Sequence, residues 1–144
     1  MEDVKAGSCY CGDIGYEVTG QPLTCYACHC SECQTKTGGA FALTSVLPEG
    51  NLNLTKGAPR EGLDDRGDSQ VLTRMCGNCG GHLWFTFSVT PGVVFVRPGT
   101  LENTSWLQPA AHFWTQSKQP WVMLDPDSAQ FDTQPEDLSQ LLEM

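Results

Sequence analysis

Positive charge is scarce in this sequence: 8 Lys and Arg stand against 17 Asp and Glu, leaving a formal net charge of −9. The basic residues are also scattered from Lys5 to Lys118 rather than clustered. A phosphate backbone is normally met by a basic face, so no nucleic acid partner is expected. No run approaches eighteen apolar residues, which excludes a transmembrane helix and leaves no membrane partner to expect. The start, Met1 to Ser8, is polar and has no apolar stretch of signal-peptide length, so a reducing, cytoplasmic location is expected. Charged residues make up only 17% of the chain, and no repeat of solenoid length is visible. Coiled coils, charged disordered tails and repeat arrays are thereby set aside.

What is plentiful is turn-forming and sulfur-bearing: 15 Gly, 9 Pro and 8 Cys among 144 residues, a length that suits one ordinary domain. In a chain without an export signal, eight cysteines point to metal ligation or thiol chemistry rather than disulfides. Gly7 to Gly20 reads as a hairpin with cysteines at its tip, Ile14, Tyr16 and Val18 alternating with smaller or polar residues. Pro22 to Cys28 reads as a further extended segment. After it Ser31 could cap a short helical turn, with Gln34 completing a capping box and Gly38-Gly39 stopping it.

Phe41 to Leu47 and Leu52 to Thr55 read as strands, with Pro48-Glu49-Gly50 the turn between them. Residues 57 to 70 lack periodicity and are expected to form a mobile surface loop. Val71 to Met75 and the stretch from Leu83 to Val89 form a second hairpin with cysteines at its tip. Val93 to Val96 and Ala111 to Thr115 add two strands, the latter in an aromatic-rich stretch containing Trp106, Phe113, Trp114 and Trp121. Pro135 to Met144 places Leu138, Leu141 and Leu142 at helical spacing, so a short C-terminal helix is expected. The sum is a mainly β chain with many turns, of the kind that often leans on metal.

Cys9-x-Cys11-Gly and Cys76-x2-Cys79-Gly are two knuckle-like turns more than sixty residues apart. Zinc prefers four thiolates in a tetrahedron, and a short-spaced pair on each of two turns can present all four. The glycine after each pair tolerates positive φ, which lets backbone amides swing towards the sulfurs. Four cysteines at the tips of two glycine turns are poorly explained as buried thiols, and a thioredoxin-like reading of Cys76 and Cys79 lacks the βαβ setting. A closed four-sulfur site has no open position and should be structural.

Cys28-His29-Cys30-Ser31-Glu32-Cys33 places three thiols within six residues. In an extended segment Cys28 and Cys30 share a face, and a turn starting at Ser31 can bring Cys33 round to them. Such a tripod leaves one zinc position for water or substrate. Zn²⁺ with three thiolates carries a net −1, so the set suits a fourth sulfur better than it activates water. Addition of a thiol to a carbonyl, or carbon–sulfur cleavage in reverse, is the natural reaction class. Cys25, three positions upstream, could instead close the tetrahedron, although in a strand it would face away from Cys28. His29 alternates away from the cysteines and could act as a base beside them. Lys36, Gly38 and Gly39 could offer charge and backbone donors to an anionic substrate. His82 is expected to pack beside the first metal and His112 to be a satisfied core residue.

These residues carry a resemblance. Gly7-Ser8-Cys9-Tyr10-Cys11-Gly12, Tyr16-Glu17-Val18, Cys28-His29-Cys30-Ser31-Glu32-Cys33, Thr37-Gly38-Gly39-Ala40-Phe41, Cys76-Gly77-Asn78-Cys79-Gly80, Gly99-Thr100-Leu101 and Pro120-Trp121 follow in the order and spacing of one family. The chain resembles the glutathione-dependent formaldehyde-activating enzyme family, also called the centromere protein V domain family. The resemblance spans about residues 5 to 125 of a single domain over 1–144, leaving an acidic tail from 126 to 144. It implies a β-tent of small antiparallel sheets, a structural zinc on Cys9, Cys11, Cys76 and Cys79, and a catalytic-type zinc on Cys28, Cys30 and Cys33. It implies a carbon–sulfur lyase that condenses glutathione with formaldehyde. Two further readings stay open: a non-enzymatic two-zinc module that binds a protein partner, and a biosynthetic enzyme acting on a larger thiol adduct. The oligomeric state is open as well, a homodimer included.

Overall fold

Alternation in the sequence becomes burial in the structure. A computed structural model describes residues 3–135. Its elements are β1 (Val4–Ser8), β2 (Gly15–Thr19), β3 (Thr24–Cys28), α1 (Ser31–Thr37), β4 (Ala42–Pro48), β5 (Leu52–Lys56), β6 (Arg60–Asp65), β7 (Gln70–Met75), β8 (His82–Phe87), β9 (Val93–Val96), β10 (Ala111–Phe113) and β11 (Ala129–Gln130), with short 3₁₀ turns between some of them. They form two compact units. One comprises Met1–Leu23 and Ser45–Trp106, the other Thr24–Thr44 and the chain from Leu107 onward. Each unit draws on two separate stretches, so no single cut in the sequence parts them. No helix is long and apolar enough to cross a membrane among the described residues.

In the first unit β1, β2 and β5 make a three-stranded antiparallel sheet, while the Ser45–Pro48 part of β4, β9, β8, β7 and β6 follow one another in antiparallel pairs. One core lies between them. Ile14, Tyr16 and Val18 meet Leu47, Leu83, Trp84, Val94, Val96 and Leu101, with the Tyr16 and Trp84 ring centroids 5.2 Å apart. Tyr16 is 1% exposed; burial pushes its phenol up to about 12, and its hydroxyl lies 2.5 Å from Thr100 Oγ1. Gly7 pairs with Tyr16 across β1 and β2, and a Cβ there would overlap the Tyr16 ring. Overpacking of this kind costs about 1–3 kcal/mol. Gly7→Ala is therefore expected to lower the unfolding free energy by that amount, read as a fall in the denaturant midpoint at unchanged slope, and an unchanged midpoint would show that the ring can move aside.

Two local expectations are corrected. Residues 57 to 70 do not form a loop throughout: β6 pairs with β7 over a six-residue register from Arg60↔Met75 to Asp65↔Gln70. Arg60, Glu61 and Asp65 are exposed, so the strand carries no apolar alternation to read. A charged edge strand is also what discourages pairing with another chain. Pro48-Glu49-Gly50 does enter a turn, the 3₁₀ segment Glu49–Asn51, but β4 then pairs with β9 and β5 with β2.

In the second unit β10 lies between β3 and β11 and runs parallel to both. The small antiparallel sheets expected of the chain are present in the first unit; here β3 and β10 are separated by more than eighty residues, so no hairpin constrains their direction. All five residues of β3 are buried, and Tyr26 stacks on Phe113 at 4.3 Å. Helix α1 buries none of its residues and stops at Gly38, which adopts φ +69° as its expected role requires. The C-terminal helix expected around Leu138, Leu141 and Leu142 lies outside the described residues.

Candidate metal centres

The two knuckles of the first unit close in the same way. Gly12 N–H donates to Cys9 O at 3.2 Å and Gly80 N–H to Cys76 O at 2.9 Å, with φ of +85° and +78° at the two glycines. This conformation is nearly free only for glycine. The Sγ atoms of Cys9, Cys11, Cys76 and Cys79 all lie within 4.8 Å of one another. Cys9 and Cys11 sulfurs are 3.7 Å apart and those of Cys11 and Cys76 3.6 Å. A zinc tetrahedron with Zn–S near ~2.3 Å needs sulfurs roughly 3.8 Å apart, so the donors fit. Backbone N–H groups face the sulfurs: Ile14 donates to Cys9 at 3.3 Å, and Asn78 and Cys79 to Cys76 at 3.4 Å each. Backbone donors from Cys11 and Gly81 also pull the Cys79 thiol down to about 6, towards the thiolate that a metal needs.

The second cluster lies wholly in the second unit. Cys28 ends β3, Cys30 precedes α1, and Cys33 sits in its first turn; their three sulfurs lie within 4.8 Å of one another. None of the eight cysteines forms a disulfide. No fourth His, Cys, Asp or Glu joins the trio among the described residues, and Cys25, buried within β3, is not part of it. Without a cation the sulfurs work against each other: the hydrogen bond with Cys33, and then burial, push the Cys28 thiol up. A divalent cation relieves that conflict, so this donor set too could hold zinc.

The start of α1 differs from its expected form. Cys30, not Ser31, is the N-cap, its sulfur accepting from Cys33 N–H at 3.3 Å. Gln34 makes no capping box. Its Nε2 donates instead to His29 O at 2.8 Å and Ser117 O at 3.0 Å, and its Oε1 accepts from Gln119 Nε2 at 2.7 Å. Ser117 Oγ donates to His29 O as well, at 3.1 Å.

His29 is fully buried. Its Nε2 lies 2.9 Å from His112 Nδ1, and its ring tilts against Phe41 at 5.1 Å between centroids. Its Nδ1 is buried without a hydrogen-bond partner. If His29 donates from Nε2, that orphan is a bare lone pair; the opposite tautomer would bury an unpaired N–H, which costs more. Burial, then the neighbouring charges of His112 and Lys118, push His29 down to about 4, so it stands neutral. A buried, neutral imidazole bonded to a second imidazole is poorly placed to act as the base its position in the motif suggested. His112 is a core residue bonded to His29, whereas His82 is exposed at the start of β8. Lys36, Gly38 and Gly39 lie at the far end of α1 from the cysteines, and Lys36 forms an i,i+4 pair with Glu32 at 3.6 Å.

The family described as glutathione-dependent formaldehyde-activating enzyme matches residues 4–117. A protein of Aspergillus terreus that carries the same enzyme name as a provisional assignment is 26% identical over 87 residues, which are 58% of this chain and 45% of that one. The chain thus spans less than half the length of that relative. The crystal structure of a Rhodobacter sphaeroides protein, a structural-genomics target, superposes with a TM-score of 0.55 over 88% of this chain and 98% of its own, at 18% identity. That likeness bears on the fold alone.

Proposed function

This chain belongs to the glutathione-dependent formaldehyde-activating enzyme family, and from that membership we propose that it is a zinc-dependent enzyme of the carbon–sulfur lyase type. Its substrates are a thiol, most simply glutathione, and a small carbonyl compound such as formaldehyde. The observation that carries the reading is the three-sulfur cluster of Cys28, Cys30 and Cys33, with no fourth protein ligand among the described residues. Zinc bound there supplies a soft fourth position that suits a substrate sulfur and favours its thiolate form.

The chain's residues do the rest. Cys28 is buried while Cys30 and Cys33 are partly exposed, so a substrate approaches from the side of the helix start. His29, neutral and fixed by His112, orients the segment between the first two sulfurs and leaves the proton to solvent. The reaction forms one C–S bond, breaks the carbonyl π bond and moves the thiol proton to the carbonyl oxygen, so it needs no oxidant or reductant. Lys36, Gly38 and Gly39 are given the end of the helix rather than the substrate. The four-sulfur cluster is assigned to structure.

Cobalt(II) in place of zinc makes the reading testable, because sulfur-to-cobalt charge transfer reports each new thiolate. Glutathione is expected to intensify that band, and the cobalt or zinc protein to accelerate adduct formation with formaldehyde above the uncatalysed rate. A band indifferent to glutathione, with no acceleration, would return the protein to the class of non-enzymatic binding modules.

A further inference from the structure

Helix α1 carries Cys33 yet fully buries none of its residues, so little core packing holds it relative to Cys28 at the end of β3. Polar contacts that could do so converge on one peptide. The His29 carbonyl, between Cys28 and Cys30, accepts from Gln34 Nε2 at 2.8 Å and Ser117 Oγ at 3.1 Å, while His29 N–H donates to Phe113 O at 2.9 Å. The Gln34 amide is used on both sides: its second N–H goes to Ser117 O at 3.0 Å and its oxygen accepts from Gln119 Nε2 at 2.7 Å. Reversing the amide would set its oxygen against two carbonyls, so its orientation is determined.

We propose that Gln34, held by Ser117 and Gln119, is a positioning residue that sets the metal affinity of the Cys28, Cys30 and Cys33 cluster. The inference rests on the reading that this cluster holds zinc. Gln34 ties the helix bearing Cys33 to the carbonyl that orients Cys28 and Cys30, and so fixes the three sulfurs as one ligand set. Groups that orient metal ligands without touching the metal typically contribute 10–100-fold in affinity.

The test is chelator competition on the full-length zinc protein, compared among wild type, Gln34→Glu and Cys30→Ser. Wild type is expected to release two zincs in separate phases, and Cys30→Ser to lack one of them. Gln34→Glu keeps the shape but turns an acceptor towards both carbonyls. It is expected to weaken the phase missing in Cys30→Ser by ~10–100-fold and to leave the other phase unchanged. The cobalt spectrum of that cluster should shift with it. If Gln34→Glu fails to fold, Ser117→Ala, which removes one donor to His29 O, is expected to weaken the same phase several-fold.

Affinity in either soluble variant within twofold of wild type overturns the clamp and leaves the metal reading standing. An equal loss in both phases also overturns it, since a general defect would then explain the result. A wild-type protein with one zinc that survives Cys30→Ser overturns the metal reading and the clamp together.

Discussion

Replacing Cys76 with serine is expected to remove one zinc and the cooperative fold of the unit that carries it. Cys76 is 2% exposed, and its sulfur lies 3.6 Å from that of Cys11, 65 positions earlier in the chain. A serine hydroxyl is a poor zinc ligand, and binding at a closed cysteine site contributes on the order of 10 kcal/mol to folding. That is comparable with the whole stability of a domain, about 5–15 kcal/mol. Cys76 is also in the core cluster with Leu83 and Trp84, so the defect reaches the packing directly. Metal analysis and thermal melting together decide the matter. A variant with undiminished zinc and an unchanged transition would mean that the four sulfurs are not a structural site.

Cys30→Ser should do nearly the reverse, keeping the fold and abolishing turnover. The core cluster of the first unit contains no residue of α1 or of the second cysteine cluster. Loss of one ligand from a three-ligand site removes the zinc or leaves it badly held. Metal stabilisation of developing charge is worth several kcal/mol, and each decade of rate corresponds to about 1.36 kcal/mol, so the expected loss is roughly 10³-fold or more. Cys25→Ser is the matched control. It changes a cysteine five positions away that is not part of the cluster, and should keep both zinc and rate. Loss of a zinc in Cys25→Ser would mean that the second site is closed by four sulfurs.

Much of the molecule was legible because its constraints are local. Cys9, Cys11, Cys76 and Cys79 sit beside glycines whose positive φ the turns require, and short spacing is visible in a sequence. The core strands declared themselves through Ile14, Tyr16 and Val18. Gln34 was not legible. A glutamine three residues after a serine at a helix start resembles a capping box, and nothing nearby reveals that its side chain reaches Ser117 and Gln119, 83 and 85 positions along the chain. His112 is legible as a core residue, but its partner His29, 83 positions away, cannot be named from periodicity. Strand β6 was hidden for another reason. Its stability comes from backbone pairing with β7, and Arg60, Glu61 and Asp65 bear no trace of that. Exposed Trp121, at 72%, shows that an aromatic-rich stretch need not be core along its whole length.

The sulfur of Cys30 accepts the N–H of Cys33 and is also one of the three clustered donors. One atom therefore belongs to two equilibria, the start of a helix and the capture of an ion. A thiolate is a stronger acceptor than a thiol, so ionisation of Cys30 on metal binding tightens the first turn of α1. Seven residues with no buried side chain are too few to remain helical unaided. The amides of Cys33 and Gln34 should accordingly exchange with solvent deuterium at a rate that tracks how full the site is, making a short piece of backbone a gauge of metal supply.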